Sequence, residues 1–216
     1  MTRFTFDLSM SLDGYVAGPE PSQKEPLGKD GESLHEWAFS AMSWRKAHGL
    51  EGGEAGADAE VMQEHIDSLG AVVMGRKMYS GGEGGWEDDP NPRGWWGDEP
   101  PFHVPVFVLT HHAREPLEME GGTTFTFVTD GIEAAAEQAR AAAAGDRSVH
   151  VAGGADAIQQ FLRAGLIDEF QVHVAPVFLG GGRRLFDALG DPPPAIELDR
   201  VVATPAVTHL RYRVAA

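Results

Sequence analysis

The most informative pattern for chemistry in this sequence is a glycine pair that follows an apolar segment. Residues 149–152 (VHVA) are largely apolar, and the chain then passes through two glycines into a helical pattern. Glycine lets a ligand come close to the backbone, and the first turn of a helix offers N–H groups and a positive dipole end to a phosphate. The candidate ligand-binding residues of this turn are Gly153, Gly154, Ala155, Asp156 and Ala157. The same residues also fit a simple tight connection, and the three spaced glycines of the Rossmann fingerprint are absent.

Two further apolar segments end in basic or polar residues. Residues 72–74 lead into Gly75, Arg76, Lys77 and Met78, and residues 106–109 lead into Thr110, His111, His112 and Arg114. In an open α/β sheet, ligands bind at the carboxyl ends of the strands. Because the whole chain carries a formal charge of −16, three cations at two strand ends favour a phosphate monoester site. The alternative is that these cations only solvate the surface and balance nearby acids.

The same segments do not favour a metal site. Adjacent residues of an extended chain point in opposite directions, so His111 and His112 cannot both face one ion. No further histidine or carboxylate accompanies them at a ligand spacing. We therefore predict no metal, and a metal- or flavin-dependent enzyme is the weakest of the functional alternatives.

A sheet is needed to bring these strand ends together. Short β-branched runs and alternating patterns predict eight strands, at 3–10, 71–74, 106–109, 125–128, 149–152, 170–175, 196–204 and 207–214. Helices are predicted from a capping-box pattern at 33–36, over 58–69 ending at Gly70, over 131–144 after Asp130, and over 154–164 ending at Gly165. The predicted fold class is α/β, with a mostly parallel sheet of about eight strands that finishes antiparallel after a tight turn at Pro205. We expect one domain over residues 1–216.

Composition excludes several classes of protein. Seventeen Lys and Arg residues against 33 Asp and Glu residues argue against binding to a nucleic-acid backbone. The absence of cysteine excludes disulfide scaffolds, iron–sulfur ligation and cysteine nucleophiles. No apolar segment reaches the roughly 20 residues of a membrane span, and the alternating segment 1–7 is unlike a secretory signal. We therefore expect a cytoplasmic protein that binds neither nucleic acid nor membrane.

The segment 81–105 fits no regular element. It opens with four glycines within five residues and contains five prolines and three tryptophans, Trp86, Trp95 and Trp96. Loops longer than about 15 residues in a compact domain are usually functional or disordered, and the tryptophans favour order. We expect either a lid packed on its own aromatic residues or on a subunit partner, or a segment that contributes directly to substrate binding.

Five short motifs occur in the order and spacing of a known family. They are 11–14 (SLDG), 74–77 (MGRK), 108–110 (VLT), 152–154 (AGG) and 168–182 (DEFQVHVAPVFLGGG). On these motifs the chain resembles the dihydrofolate-reductase-like family, in particular the C-terminal reductase domain of the bifunctional riboflavin-biosynthesis deaminase/reductase. The resemblance covers nearly the whole chain. It implies a three-layer α/β/α fold that binds NADPH across the carboxyl edge of its sheet and transfers hydride to a C=N or C=O group of a small molecule.

The resemblance also implies roles for individual residues on the cofactor side. Residues 153–157 would hold the pyrophosphate. Arg76, Lys77 and residues 110–112 would surround the adenosine 2′-phosphate, in agreement with the charge argument above. The residues implied to lie along the nicotinamide and its ribose are Val16 and Ala17. The family is commonly dimeric, so the resemblance implies a homodimer.

On the substrate side, the resemblance directs attention to the first strand and to a glycine-rich loop. The candidate substrate-binding residues are Ser11, Trp37, Leu179 and Gly180, and the candidate catalytic residue is Asp13. Hydride transfer to an imine needs a proton source, and a carboxylic acid of raised pKa can provide one. The plainer alternatives are an ordinary Asp-Gly turn at Asp13 and a core position for Trp37. The glycines after Leu179 could equally serve only to shape the chain.

The sequence departs from both kinds of enzyme that it resembles. We identify no equivalent of the helix carboxylate beside the folate ring of dihydrofolate reductases, and no zinc deaminase domain with His and Cys ligands precedes the reductase part. We therefore expect a stand-alone NADPH-dependent oxidoreductase, similar to the 5-amino-6-ribosylaminouracil phosphate reductase of riboflavin biosynthesis or to dihydrofolate reductase. Its substrate would be a pyrimidine-like or pterin-like heterocycle. The alternative is a non-catalytic nucleotide-binding or ligand-sensing module with the same fold.

Overall fold

Strands and helices alternate along most of the chain, whose residues 2–22 and 24–215 are described by a computed structural model. The strands are β1 Phe4–Ser11, β2 Tyr15–Ala17, β3 Leu69–Gly75, β4 Pro105–Leu109, β5 Leu117–Glu118, β6 Thr124–Val128, β7 Ser148–Gly153, β8 Glu169–Ala175, β9 Arg183–Arg184, β10 Ile196–Ala203 and β11 Thr208–Val214. The helices are α1 Glu36–Ser40, α2 Met42–Ala47, α3 Ala57–Ser68, α4 Arg76–Ser80, α5 Gly131–Ala142 and α6 Ala155–Arg163. Each of the eight predicted strands has a counterpart among them.

The main sheet has nine strands in the order β10-β11-β8-β1-β7-β3-β4-β6-β5. The pairs β1–β7, β7–β3, β3–β4 and β4–β6 are parallel, whereas β8–β11 and β11–β10 are antiparallel. The predicted α/β class, with a mostly parallel sheet and antiparallel C-terminal strands, is therefore confirmed. The ninth strand is β5, which pairs antiparallel with β6. Because it has only two residues, no sequence periodicity could reveal it.

The chain divides into two compact units, and unit 1 contains residues 2–6 and Leu69–Ile167. Helices α5 and α6 pack on its parallel strands. The side chains of β3 and β4 at positions 72, 73, 74, 106 and 108 are at most 1% exposed, and each such burial contributes about 1.5–3 kcal/mol. Since β7, β3 and β4 are parallel neighbours, their carboxyl ends lie at the same edge of the sheet.

Unit 2 contains Asp7–Ser68 and residues 168–215. Its C-terminal strands β10 and β11 are joined by the predicted tight turn at Pro205, where the Thr204 amide donates to the Val207 carbonyl at 3.0 Å. The Thr204 hydroxyl accepts from the amides of Ala206 and Val207. The predicted single domain over residues 1–216 stays a prediction.

The start of the first helical region differs from the prediction. The Ser33 hydroxyl donates to the Asp30 carbonyl instead of accepting from a backbone amide, so the prediction of a capping box at 33–36 is wrong. Residues Gly31–His35 form a 3-10 turn, and the helix that follows is interrupted at Ala41, which has extended backbone. Trp37 of α1 is nevertheless buried, since it is only 5% exposed.

The later helices agree better with the sequence. Helix α5 begins directly after Asp130, although the Asp130 side chain makes no capping hydrogen bond. Gly165 follows α6 with a φ of 65°, as expected for a glycine that ends a helix. Within the described ranges, no helix combines the length and the apolar character that a membrane span requires.

The sequence predicts that Gly70 ends the helix over 58–69, but α3 ends at Ser68 and Gly70 lies within β3. Packing explains why this position is a glycine, because a Cβ added to Gly70 would lie 2.7 Å from the Cβ of Arg147 and 3.1 Å from the Cβ of Ala143. We expect Gly70→Ala to lower the free energy of unfolding by about 1–3 kcal/mol through overpacking. Urea unfolding measures this loss, and Gly84→Ala is the control because an added Cβ there meets nothing within 4 Å. Equal stability of the two variants would contradict the packing argument.

Candidate functional site

The turn between β7 and α6 has the backbone form that the sequence predicts. All residues of β7 are buried up to Gly153, whereas Gly154 is exposed and α6 begins at Ala155. The Gly154 carbonyl accepts from the amides of Ala157 and Ile158 at 3.0 and 3.3 Å, which starts the helix. Gly153 has a φ of 126°, which an L side chain rarely adopts, and the Gly153–Gly154 peptide bond is cis. The positive end of the α6 dipole therefore lies at an exposed glycine turn.

Gly75 at the end of β3 lies beside this turn. Met74 is in register with Gly153 across the β3–β7 pair. A Cβ added to Gly75 would lie 3.7 Å from the Gly153 carbonyl oxygen and 3.9 Å from the Gly154 nitrogen. A Cβ added to Gly154 would meet nothing within 4 Å, and one added to Gly153 would meet only the Met78 sulfur at 3.4 Å. Three glycines at two neighbouring strand ends thus leave the backbone open to a ligand.

Arg76, the first predicted phosphate-binding cation, already has internal partners. Its side chain is 8% exposed, Nη2 pairs with the Asp89 carboxylate, and Nε donates to the Ser80 hydroxyl at 3.2 Å. Burial lowers the pKa of Arg76, and the Asp89 charge opposes that shift. Nη1 is a buried nitrogen without a hydrogen-bond partner among the described residues. Arg76 therefore keeps one unused donor while its charge is balanced by Asp89.

Lys77 is the accessible cation of the strand end. Its side chain is 63% exposed and pairs with Glu83, which is 66% exposed, and this contact lowers the pKa of Glu83. An ion pair between two exposed side chains is worth about 0–1 kcal/mol. Lys77 can therefore exchange Glu83 for another anion at little cost.

The end of β4 supplies the second predicted group. Thr110 is 8% exposed and its hydroxyl accepts from the His112 amide at 3.1 Å, whereas His111 is exposed. Arg114 donates to the Pro92 carbonyl, and its guanidinium lies over the rings of Trp86 at 4.8 Å and Phe127 at 5.3 Å. The sequence predicts three cations that are available to a phosphate. In the structure Arg76 is paired with Asp89 and Arg114 is bound to the Pro92 carbonyl, so Lys77, in its exposed ion pair, is the accessible one of the three.

Within unit 1, residues of the segment 81–105 contact α4 and the segment that follows β4, and both expected alternatives for this segment stay predictions. The Trp95 indole donates to the Met78 carbonyl at 2.8 Å, and the Tyr79 hydroxyl donates to the Pro92 carbonyl at 3.1 Å. Tyr79 is fully buried, and burial raises its pKa to about 12. Trp86, which the sequence singled out without a role, lies 3.3 Å from the Arg76 guanidinium carbon and donates to the His112 carbonyl at 2.8 Å.

Four of the five predicted substrate-side residues lie together in unit 2. The Asp13 carboxylate accepts from the amides of Leu179 and Gly180 at 3.2 and 2.8 Å. The Ser11 hydroxyl accepts from the Tyr15 amide, and its own hydrogen bond to Asp13 is the main cause of a lowered pKa at Asp13. A proton donor needs a raised pKa. Asp13 is therefore suited to hold the loop at Leu179 and Gly180 as an ionised carboxylate.

Trp37, the fifth of these residues, lies in the core of unit 2. Its indole donates to the Ser9 hydroxyl at 3.0 Å, and its ring centroid is 4.5 Å from that of His173. Trp37 therefore has the core position that the sequence analysis gave as the alternative to substrate binding. The candidate cofactor residues Val16 and Ala17 lie in β2, which pairs with β9 in unit 2.

A buried histidine pair beside Trp37 was not expected from the sequence. Nδ1 of His173 lies 2.6 Å from Nδ1 of His209, so one hydrogen must lie between the two rings. The other ring nitrogen of each histidine contacts a carboxylate. Nε2 of His173 contacts Asp7, and Nε2 of His209 lies 3.0 Å from Asp58. Among the described residues, no group of three or more histidine or acidic side chains is placed to hold a metal ion.

Comparison with solved structures identifies the fold. A candidate riboflavin biosynthesis protein from Shewanella sp. PV-4 aligns over 100% of both chains with a TM-score of 0.63 and 21% identity. The diaminohydroxyphosphoribosylaminopyrimidine deaminase/5-amino-6-(5-phosphoribosylamino)uracil reductase of Thermotoga maritima aligns over 99% of this chain and 57% of its own, with a TM-score of 0.57 and 15% identity. Dihydrofolate reductase from Enterococcus faecalis, solved with NADP(H), aligns over 99% and 97% with a TM-score of 0.51 and 11% identity. The predicted dihydrofolate-reductase-like fold is therefore confirmed.

Sequence comparison identifies the family. No curated protein matches the sequence significantly. The family model described as the RibD C-terminal domain matches residues 3–210, which is nearly the whole chain. The protein therefore belongs to the RibD C-terminal domain family.

Proposed function

We propose that this protein is an NADPH-dependent reductase that transfers hydride to a C=N or C=O group of a small pyrimidine-like or pterin-like heterocycle. The observation that carries the proposal is the open backbone at the ends of β3 and β7, formed by Gly75, Gly153 and Gly154 beside the start of α6. Membership of the RibD C-terminal domain family supports a reductase. The reductase named for the Thermotoga maritima protein and the NADP(H) of the Enterococcus faecalis enzyme agree with it.

The residues of unit 1 fit a phosphorylated dinucleotide. Residues 153–157 would hold the pyrophosphate through the glycine turn and the amides of the first turn of α6. Lys77 would bind the 2′-phosphate, assisted by the unused Nη1 donor of Arg76 and by residues 110–112. NADPH, when bound, supplies the hydride. The protein supplies the position of the cofactor and the binding of the substrate.

The substrate would be bound by residues of unit 2. We propose that Ser11 and Asp13 hold the loop that contains Leu179 and Gly180 in a form that admits the heterocycle. Because its pKa is lowered, Asp13 acts in this proposal as a positioning residue and not as the proton donor. The runner-up function is a non-catalytic nucleotide-binding module, and it is favoured because the Asp13 carboxylate is engaged by the amides of Leu179 and Gly180 instead of being placed to donate a proton.

Two assays separate these functions. Fluorescence titration measures binding of NADPH, and loss of absorbance at the nicotinamide band measures its oxidation with a panel of pyrimidines and pterins. The reductase predicts binding and oxidation with at least one member of the panel. Binding without oxidation across the panel would favour the non-catalytic module, and the absence of binding would contradict both.

Lys77 gives the sharpest mutational test of the cofactor. We expect Lys77→Ala to weaken NADPH binding about tenfold, because it removes a charge-assisted contact to phosphate. Binding of NADH, which lacks the 2′-phosphate, should change less than twofold. Lys46→Ala is the control, since Lys46 is also exposed but lies in α2 of unit 2. An equal effect on NADPH and NADH would contradict a phosphate contact at Lys77.

Association as a homodimer and a cytoplasmic location stay predictions. The exposed apolar side chains of the edge strand β10 agree with association. They are Ile196, Leu198 and Val201, which are 50%, 58% and 51% exposed.

A further inference from the structure

Two side chains of the segment 81–105 contact the proposed 2′-phosphate site. Trp86 and Asp89 lie three residues apart, at the ends of a short 3-10 turn. The Asp89 carboxylate is fully buried and accepts from Arg76 Nη2 and, at 2.7 Å, from the Ser80 hydroxyl. An anion from the protein itself thus already binds the guanidinium that follows β3.

Trp86 contacts both strand ends of the same site. The guanidinium carbons of Arg76 and Arg114 lie 3.3 and 4.8 Å from its ring centroid. Its indole N–H donates to the carbonyl of His112, in the segment that follows β4. A planar bicyclic ring, stacked on guanidinium groups and donating one N–H to a backbone carbonyl, therefore occupies this position.

Adenosine 2′-phosphate offers the same set of interactions. Its purine is a planar bicycle that stacks on guanidinium groups and carries N–H donors, and its phosphate is an anion that pairs with arginine or lysine. Trp86 matches the purine and Asp89 matches the phosphate. Because both come from one turn, a single movement of that turn would vacate both positions.

We propose that Trp86 and Asp89 occupy the subsite for the adenosine 2′-phosphate of NADPH, and that the turn competes with the cofactor for Arg76. This inference rests on the proposed function. The turn lowers the apparent affinity for NADPH in proportion to the fraction of molecules in which it fills the subsite. Asp89 competes only with the 2′-phosphate, whereas Trp86 competes with the adenosine of any dinucleotide.

The segment before the turn is rich in glycine, which adopts many backbone conformations. Gly82, Gly84 and Gly85 precede the turn, and a Cβ added to Gly84 would meet nothing within 4 Å. Farther along the segment, Trp95 is held by its hydrogen bond to the Met78 carbonyl. The proposal requires the turn to leave the subsite while Trp95 keeps the later part of the segment bound to α4.

Calorimetric titration of the full chain with NADPH and with NADH tests the inference. Asp89→Asn keeps an acceptor for Arg76 but removes the charge, and it should tighten NADPH binding about tenfold with little change for NADH. Trp86→Ala should tighten binding of both dinucleotides about tenfold. Trp95→Phe, which also removes one indole hydrogen bond to a backbone carbonyl, is the control and should leave both affinities unchanged.

Folding is checked by thermal unfolding, and Trp86→Phe provides a milder variant that keeps a ring but loses the N–H donor. It should tighten binding of both dinucleotides about threefold. Equal or weaker NADPH binding by folded Asp89→Asn and Trp86→Phe would overturn the inference and leave the proposed function intact. No binding of either dinucleotide by the wild type and all variants would overturn the proposed function as well.

Discussion

Replacing Gly75 with alanine should weaken NADPH binding roughly 100-fold, because the added methyl group would take the space that the proposed pyrophosphate site needs at the two strand ends. The new Cβ would lie 3.7 Å from the Gly153 carbonyl oxygen and 3.9 Å from the Gly154 nitrogen, which narrows the approach to the glycine turn. Both distances are ordinary van der Waals contacts, and Gly75 has a φ of −79° that alanine adopts without strain. The free energy of unfolding should therefore change by less than about 0.5 kcal/mol.

Gly70→Ala on the same strand is the matched control for this prediction. It introduces the same methyl group near Arg147, at the other end of β3, and should lower stability without a change in NADPH affinity. Titration of each folded variant with NADPH, together with urea unfolding, separates the two effects. Unchanged NADPH affinity in Gly75→Ala would show that the cofactor does not pass between these strand ends.

The free energy of unfolding should fall steeply as the pH falls from 6.5 towards 4, since three histidines of unit 2 have lowered pKa values. Burial lowers the pKa of His35 to about 4 and also lowers the pKa values of His65 and His209. Below pH 6.5 the unfolded chain therefore binds more protons than the folded protein, and unfolding is favoured by acid. Each of these histidines contributes a slope of up to ~1.4 kcal/mol per pH unit.

Unfolding in urea at a series of pH values measures this slope. His35→Phe replaces a buried ring by an apolar ring and should flatten the acid side by up to ~1.4 kcal/mol per pH unit. His48→Phe is the control, because His48 is exposed in unit 2 and its replacement leaves the buried set complete. A wild-type stability that is constant between pH 6.5 and 4 would contradict the burial of neutral histidines in unit 2.

The strands that carry the proposed site could be predicted from the sequence. Segments 71–74, 106–109 and 149–152 are short and mostly apolar because the parallel strands β3, β4 and β7 are buried on both faces. Once these strands are parallel neighbours, chain direction alone places Gly75 and Gly153 at one edge of the sheet. The position of the glycine turn therefore followed from local sequence patterns.

Other features depend on contacts that no local pattern records. Gly70 is a glycine because Arg147 packs against it, 77 positions later in the sequence. Strand β5 has two residues and exists only through its pairing with β6. In both cases tertiary packing overrides the local preference.

The electrostatics of the site were the least predictable part. Arg76 and Lys77 are adjacent, yet Arg76 is buried against Asp89 while Lys77 is exposed. Sequence alone could not assign Asp89 to Arg76, because the partner lies in a long loop without periodicity. Likewise, His173 and His209 face each other only through the register of β8 and β11. Pairing across strands decides which charged groups remain available to a ligand.

The proposed function requires that the ends of β3, β4 and β7 bind a phosphorylated dinucleotide. A crystal structure of the protein grown with NADPH shows whether they do. We predict density for the pyrophosphate against residues 153–157 and for the 2′-phosphate beside Lys77, with Trp86 displaced from Arg76. NADPH bound elsewhere on the protein, or crystals at saturating NADPH without density at this edge, would contradict the claim.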